Sequence, residues 1–195
     1  MSNYIRPKNP GASVFFTVAL ADRGAQTLVD HIEVLRKAVQ QTKAERPFHI
    51  DAWVVLPDHM HAVWTLPERD ADYSGRMAAI KARFTRALTG ADRRVGFHPT
   101  VAQDLGTDAR VVGVDGGVKP HLTINGRPRS KSKVAKGDGR VWQRRFWEHH
   151  IRDEAAFAAC VRYCWINPVK HGLVGHPGDW PYSSWNRDGG TDAGV

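Results

Sequence analysis

The segment FHIDAWVVLPDHMHAVWTL, residues 48–66, decides the fold. It contains two apolar runs, 48–56 and 60–66, that are rich in β-branched and aromatic residues. Pro57, Asp58 and His59 separate the runs. Apolar runs on either side of so short a turn are typical of a β-hairpin. The segment therefore predicts two adjacent antiparallel strands.

Further strands and helices are predicted on both sides of this hairpin. In chain order they are a strand at 13–20, a helix at 27–43, a helix at 73–88, a strand at 141–147 and a helix at 153–166. The pair Asn167-Pro168 marks the end of the last helix, because the residue before a proline is disfavoured in helical conformation. The order predicts an α+β domain with an RRM-like or ferredoxin-like split βαβ fold. Its antiparallel sheet is expected to carry helices on one face.

The composition changes between residues 90 and 139. This segment holds half of the chain's 18 glycines and no tryptophan or tyrosine, and its second half is strongly basic. Because about 50 residues is far longer than an ordinary connection, we interpret it as a flexible or weakly structured insertion within a single domain spanning 1–195. The basic half is either a solvated linker or an arm that grips phosphates through residues such as Lys131 and Lys133.

The charge balance favours a polyanionic partner. The chain has 28 Lys and Arg against 20 Asp and Glu, a formal net charge of +8 and a sequence pI near 9.8. Excess positive charge promotes association with nucleic acid through phosphate contacts. No apolar run is long enough to cross a bilayer or to form a signal-peptide core, so a cytoplasmic, nucleoid-associated protein is expected and a membrane partner is not. Two cysteines exclude a disulfide framework and a four-cysteine zinc site.

The motif His59-Met60-His61 is the first candidate site. Side chains at positions i and i+2 of a strand project from the same face, so both imidazoles can reach one metal ion while Met60 points into the core. Histidine pairs with this spacing also occur as hydrogen-bonded or exposed residues without a ligand. The pattern therefore leaves metal binding open.

Tyr163 and Asn167 form the second candidate site, since residues four apart share a helix face. An amide oxygen from Asn167 suits a hard ion such as Mg²⁺ or Mn²⁺ better than zinc, and Tyr163 would then lie next to that ion. The alternative is that Tyr163 is a core aromatic with a polar tip and that Asn167 caps the helix before the proline.

Two further groups are candidate contacts to nucleic acid. Aromatic residues interleaved with arginines suit base stacking and phosphate contacts, although core packing also explains the aromatics: Trp142, Arg144, Arg145, Phe146 and Trp147. On the second predicted helix, three cations either grip backbone phosphates or form a solvated face: Lys81, Arg83 and Arg86.

Six motifs together resemble the REP-associated tyrosine transposases, relatives of the single-tyrosine HUH transposases of bacterial insertion sequences. They are FFTV at 15–18, AWVVLPDHMH at 52–61, WTLP at 64–67, IKARF at 80–84, WQRRFWEH at 142–149 and YCWINPVKHG at 163–172. The resemblance covers residues 4–88 and 140–185. The segment from 90 to 139 departs from it, because compact members pass more directly between the flanking motifs.

The resemblance implies the RRM-like split βαβ fold and metal-dependent nicking and rejoining of single-stranded DNA through a 5′-phosphotyrosine. It matches Tyr163 to the nucleophile, and His59, His61 and Asn167 to the ligands of a divalent ion, Mg²⁺ or Mn²⁺. It implies a REP-type hairpin substrate with adjacent guide bases. Residues matching the family segment near those bases are Asn3, Tyr4 and Arg6.

Two other functions use the same fold. One is a hairpin-binding protein without catalytic activity, and the other is metal-dependent hydrolysis with water as the nucleophile. Only nicking and rejoining through a phosphotyrosine forms a covalent protein–DNA adduct, so an adduct distinguishes that function from both alternatives. The sequence leaves monomer and dimer open.

Overall fold

The structure, a computed structural model, describes residues 7–90 and 141–188. The elements are β1 (Ser13–Ala19), α1 (Thr27–Asp30), α2 (Ile32–Glu45), β2 (His49–Val55), β3 (His59–Thr65), α3 (Tyr73–Leu88), β4 (Trp147–His150), α4 (Glu154–Lys170), a 3₁₀ turn (Pro177–Asp179) and α5 (Trp185–Asp188). The insertion expected at 90–139 lies outside the described residues except for Gly90. None of the helices in the described ranges has the length and apolar character needed to cross a membrane.

The strands form one four-stranded sheet in the order β2-β3-β1-β4, and every neighbouring pair is antiparallel. Helices α1 and α2 connect β1 to β2, and α3 follows β3, so that each half is a split βαβ unit. The predicted α+β fold, with the hairpin at residues 48–66, is therefore confirmed. Within the β1–β3 ladder, Thr17 lies directly opposite His61.

The helices cover both faces of the sheet. Val14, Phe16 and Val18 of β1 point to one face, where they share the larger core with α2 and α3. Phe15 points to the other face, where a second cluster includes Cys164 of α4. The expectation of helices on one face is right for α2 and α3 and wrong for α4. Strand β3 is buried on both sides from His59 to Trp64, which is consistent with helices on both faces of the sheet.

Three predicted boundaries are wrong. The last strand is Trp147–His150 rather than 141–147, because Trp142 makes only an isolated bridge to Leu20 beyond the end of β1. The first predicted helix is divided at His31, which has a non-helical backbone. Helix α4 continues through Pro168 to Lys170.

Helix α4 tolerates its proline because the surrounding turn is packed against the sheet. Asn167 and Pro168 are both buried, and the helix resumes hydrogen bonding beyond them, with the His171 amide donating to the Asn167 carbonyl at 3.0 Å. Burial of this turn offsets the hydrogen bond that proline cannot donate. At the other end, the Asp153 side chain accepts from the Ala156 amide at 2.8 Å and caps the helix.

Arg76 of α3 is a buried cation that joins three segments. Its guanidinium donates to the carbonyl oxygens of Arg46, Pro47 and Asp72 and, at 2.6 Å, to the carboxylate of Asp70. The hydrogen bond from Arg76 holds the pKa of Asp70 down at about 2, against an ordinary value of 3.8. The Asp70 side chain is 37% exposed, so solvent screens much of this interaction.

We expect Asp70→Asn to lower the free energy of unfolding at pH 7 by about 1 kcal/mol after allowance for screening. A depressed folded-state pKa stabilises the protein above the unfolded-state pKa and loses that effect as the pH falls from about 4 towards 2. The difference between the two proteins should fall to about half at pH 3. Urea unfolding at both pH values measures it, and a difference that does not change with pH would contradict the assignment.

Candidate active site

The first half of the site lies at the start of β3. His59 is the first residue of the strand and His61 lies two positions further on the same face, with their ring centroids 5.1 Å apart. Both side chains are buried. Met60 points to the opposite face and packs in the larger core, as alternation along a strand requires.

Each imidazole is held by a hydrogen bond at Nδ1. His59 Nδ1 lies 2.6 Å from a carboxylate oxygen of Asp58, and His61 Nδ1 lies 2.9 Å from the hydroxyl oxygen of Thr17. These contacts leave Nε2 of both rings as the nitrogen available to a ligand. Hydrogen bonds of this kind orient the rings of metal-binding histidines and select their tautomer.

Burial keeps both imidazoles neutral. Desolvation, together with a smaller contribution from the neighbouring His59, lowers the pKa of His61 to about 3. Desolvation also lowers the pKa of His59, although Asp58 opposes the shift. Neutral imidazoles expose a lone pair, which is the form that coordinates metals.

Helix α4 supplies the second half of the site, because it packs across β2 and β3 on the histidine face. The ring centroid of Tyr163 lies 5.2 Å from that of His61 and 5.7 Å from that of Phe15. The Tyr163 side chain remains 39% exposed. Tyr163 is therefore beside the histidine pair and open to a substrate.

Asn167 lies on α4 midway between Tyr163 and His171, the two residues whose rings contact the histidine pair. One turn before it, Tyr163 touches His61, and one turn after it the ring of His171 lies 5.1 Å from that of His59. Residues four apart share a helix face, so Asn167 faces the histidine pair. Its side chain is 1% exposed, and in the described residues its Oδ1 has no hydrogen-bond partner.

A divalent cation fits this group of side chains. A buried acceptor without a partner is destabilising, and a cation satisfies it. The candidate ligands are two imidazoles and one amide oxygen, and in the described ranges no group of three or more His, Cys, Asp or Glu side chains is placed to hold an ion. A mixed set of nitrogen and oxygen ligands accommodates Mn²⁺ and Mg²⁺ more readily than a thiol-rich set would.

Four side chains of the site were not among the predicted site residues: Thr17, Asp58, Lys170 and His171. Asp58 adjoins His59, and Lys170 and His171 return to the face of Tyr163 two turns later, so spacing could have indicated these three. The Lys170 Nζ lies 4.9 Å from the Tyr163 ring centroid. Thr17 could be found only from the pairing register of β1 with β3.

The structure does not bring the predicted cations of α3 to the site. Lys81 donates to the Gln143 carbonyl at 2.8 Å and Arg83 to the Thr42 hydroxyl at 2.7 Å, while Arg86 is exposed. Helix α3 packs on the face opposite α4. DNA contact by these residues stays a prediction.

The other predicted DNA contacts differ in position. Arg144 and Arg145 are exposed immediately before β4. Trp142 is buried against Phe84 and Phe146 packs on Phe16, so core packing explains both aromatics. Trp147 is exposed. Five further predicted contacts lie outside the described residues: Asn3, Tyr4, Arg6, Lys131 and Lys133.

We expect Thr17→Val to weaken Mn²⁺ binding about tenfold, because the nearly isosteric valine removes the hydroxyl that orients His61. Isothermal titration calorimetry measures the dissociation constant. Thr65→Val, which also removes a strand hydroxyl but at the far end of the sheet, is the matched control. Equal affinities for the wild type and Thr17→Val would show that the hydroxyl does not support a metal ligand.

The structure thus brings together, on a split βαβ sheet, the histidine pair and the helical tyrosine whose motifs resemble those of the tyrosine transposases. A REP-associated tyrosine transposase of Escherichia coli K12 is 38% identical over 188 residues, covering 96% of this chain and 85% of the relative. A relative from Haemophilus influenzae, whose name assigns it to the same family, is 37% identical over 188 residues, covering 96% and 88%. No protein-family model matches the chain.

A solved structure of a REP-associated tyrosine transposase bound to a REP hairpin superimposes with a TM-score of 0.69. The two chains are 35% identical, and the match covers 100% of this chain and 89% of the other. The chain belongs to the REP-associated tyrosine transposases.

Proposed function

We propose that this protein nicks and rejoins single-stranded DNA at REP-type hairpins through a 5′-phosphotyrosine on Tyr163. The observation that carries the proposal is the placement of an exposed tyrosine 5.2 Å, ring to ring, from a buried neutral histidine. The membership of the chain in the transposase family supports it.

The proposed reaction exchanges one phosphoester for another. The Tyr163 hydroxyl oxygen attacks the scissile phosphorus, the phenolic proton passes to solvent, and the bond from phosphorus to the 3′-oxygen breaks. The departing 3′-oxygen takes up a proton and leaves as a 3′-hydroxyl. Because the ester bond is retained in the covalent intermediate, a 3′-hydroxyl can attack it in turn and rejoin strands without ATP.

His59, His61 and Asn167 would hold a divalent ion, Mg²⁺ or Mn²⁺, next to Tyr163. When bound, the ion supplies Lewis-acid polarisation of a phosphate oxygen and stabilises negative charge in the transition state. Neutral imidazoles and a buried amide oxygen that has no hydrogen-bond partner among residues 7–90 and 141–188 support this assignment. Hydrogen bonds at Nδ1, with Asp58 for His59 and Thr17 for His61, orient the two imidazole rings.

Lys170 provides positive charge beside the nucleophile. Its Nζ lies 4.9 Å from the Tyr163 ring centroid and the side chain is exposed, so it can also meet an incoming phosphate. A nearby cation favours the negative charge that develops on the phenol oxygen and on phosphorus-bound oxygens. Lys170 therefore acts together with the histidine pair, since both lie close to the Tyr163 ring.

The proposed substrate is a folded REP-type hairpin with guide bases beside it. The structural neighbour is bound to a REP hairpin, and the net charge of +8 favours a polyanion. We assign guide-base contacts to Asn3, Tyr4 and Arg6, as the family resemblance implies. Phosphate contacts are assigned to the basic side chains outside the reaction centre: Lys81, Arg83, Arg86, Lys131, Lys133, Arg144 and Arg145.

A monomer suffices for this chemistry, because β3 and α4 of a single chain supply both histidines, the tyrosine and the amide oxygen. We therefore propose that the protein acts as a monomer. A genomic DNA substrate places it at the nucleoid in the cytoplasm.

The test is incubation of the protein with end-labelled hairpin oligonucleotides and Mg²⁺ or Mn²⁺, followed by denaturing gel electrophoresis. The expected result is a labelled protein–DNA adduct with equimolar release of a 3′-hydroxyl strand, which chelation by EDTA abolishes. Cleavage without an adduct would contradict the tyrosine mechanism in favour of hydrolysis by water. Tight binding with neither product would indicate a hairpin-binding protein.

A further inference from the structure

A cavity of about 350 Å³ opens beside Tyr163, on the half of the sheet that α4 leaves uncovered. Its lining comes from three elements: Phe15 and Thr17 of β1, Trp147 and His149 of β4, and Cys160 and Tyr163 of α4. The β1–β4 register pairs Thr17 with Trp147 and Phe15 with His149, which places all four strand residues on the histidine face. Helix α4 packs on β2 and β3, so the cavity lies along the β1–β4 side.

Trp147 makes this cavity unusual. All seven tryptophans lie in the described residues, and Trp147 is the one whose side chain is exposed, at 57%. Its ring is parallel to that of His149, with an interplanar angle of 5° and centroids 6.0 Å apart, and it meets Phe15 edge to face at 5.8 Å. These two ring contacts orient Trp147 while more than half of its surface stays exposed, and such an aromatic surface is suited to stacking against a flat ligand.

The chemistry of the lining also fits a flat, uncharged ligand. Burial raises the pKa of the Cys160 thiol, so this group stays neutral, and Ala159 beside it adds only a methyl group. The volume lies at the lower end of the range for small-ligand pockets, which suits a single nucleobase and not a hairpin stem. Arg144 and Arg145, exposed three and two residues before Trp147, are available to phosphates that flank such a base.

We propose that this cavity binds the base of the nucleotide immediately 3′ of the scissile phosphate, stacked on Trp147. The inference rests on the proposed function of Tyr163. In phosphoryl transfer the attacking and leaving oxygens lie roughly in line on opposite sides of phosphorus. The departing nucleoside is therefore far from the tyrosine ring. The retained nucleotide is joined to phosphorus through its 5′-oxygen, which lies on neither the attacking nor the leaving side. Its base can therefore reach the cavity that the Tyr163 ring lines.

This base site positions the substrate and does not take part in bond making. Stacking would anchor the retained nucleotide while the covalent intermediate persists, so that a 3′-hydroxyl arriving for rejoining finds the phosphorus in a constant place. Because an aromatic ring stacks on any base, Trp147 would contribute affinity with little sequence preference. The groups at the rim that could add preference are the Thr17 hydroxyl and the His149 imidazole.

The test combines a fluorescent base with protein variants. Hairpin oligonucleotides carry 2-aminopurine at one of three positions around the cleavage site and are bound to Tyr163→Phe, which prevents turnover. We expect quenching to be strongest immediately 3′ of the scissile phosphate. It should disappear in Tyr163→Phe/Trp147→Ala and persist in Tyr163→Phe/Trp147→Phe. Quenching that is equal at all positions, or unchanged by Trp147→Ala, would overturn the proposal.

Adduct formation gives an independent readout. In an otherwise wild-type protein, Trp147→Ala should slow adduct formation about tenfold, a fold-change within the range of base–aromatic stacking, whereas Trp147→Phe should restore most of the rate. An abasic site at the same position should slow the wild type equally and cause no further loss in Trp147→Ala. Leu173→Ala, which truncates another exposed apolar side chain outside the cavity, is the matched control and should leave the rate unchanged.

The outcomes separate this inference from the proposed function. If the wild type forms no adduct, the proposed function fails and the base site fails with it. If the wild type forms the adduct but Trp147→Ala reacts at the same rate, the base site alone is wrong. If Trp147→Ala and Trp147→Phe lose the same amount of thermal stability, the slower rate is a consequence of impaired folding. That result would overturn the stacking role.

Discussion

Tyr163→Phe is expected to abolish the covalent adduct, with a loss of at least about a thousandfold in its rate of formation. The substitution removes one oxygen atom, which is the proposed nucleophile. It leaves a ring that can keep its edge-on contacts with His61 and Phe15. Hairpin affinity and thermal stability should therefore stay close to those of the wild type. Quantitative denaturing gels measure adduct formation, and fluorescence anisotropy measures binding.

Tyr182→Phe is the matched control for this variant. It removes the same hydroxyl from a tyrosine in the segment between the 3₁₀ turn and α5, where the ring packs against Trp180. The control should form the adduct at the wild-type rate. A Tyr163→Phe protein that still forms the adduct would assign the nucleophile to another residue and contradict the proposed mechanism.

His61→Ala is expected to remove Mn²⁺ binding and to lower adduct formation at least about a hundredfold. Of the two imidazoles, His61 is the one in ring contact with Tyr163, and its neutral state follows from burial. The readout that does not depend on activity is thermal unfolding. A ligand that binds the folded state raises the melting temperature, so Mn²⁺ should stabilise the wild type and have no effect on His61→Ala.

His49→Ala provides the control for a lost imidazole. His49 lies at the opposite end of the hairpin, paired with Thr65 across the sheet and hydrogen-bonded to Asp51. Mn²⁺ should stabilise this variant as much as the wild type. Equal stabilisation of His61→Ala by Mn²⁺ would place the ion elsewhere, and the assignment of His59, His61 and Asn167 as ligands would then be wrong.

The placement of α4 links the fold to the proposed chemistry. If all helices lay on one face of the sheet, Tyr163 would be on the side of Met60 and away from His59 and His61. Because α4 crosses the second face, one turn of the helix presents Tyr163 to His61 and the next presents Asn167 to the histidine pair. The same helix leaves the β1–β4 side open for a substrate base.

The hairpin and α3 could be predicted from local patterns alone. Residues 48–66 contain two strand-like runs around a turn, and the structure forms β2 and β3 there. Met77, Ile80 and Phe84 repeat at helical spacing and are buried on one face of α3, which spans Tyr73–Leu88 as predicted. In both cases the residues that determine the element lie within the segment itself. The local sequence pattern is therefore enough to predict it.

Other features depend on contacts between distant segments. The proline in α4 predicts a helix end from local rules, but packing of Asn167 and Pro168 against the sheet carries the helix to Lys170. The last strand is displaced to Trp147–His150, because pairing with β1 selects the register. Thr17 supports His61 only through the β1–β3 ladder, and no spacing in the sequence relates residues 44 apart.

Peptide mapping of the adduct by mass spectrometry tests the central claim most directly. Trypsin cleaves after Arg162 and Lys170, so Tyr163 lies in the peptide YCWINPVK, residues 163–170. After nuclease trimming, this peptide should carry one nucleotide joined through its 5′-phosphate to Tyr163. A nucleotide on any other residue, a linkage through a 3′-phosphate, or cleaved DNA with no modified peptide would contradict the account.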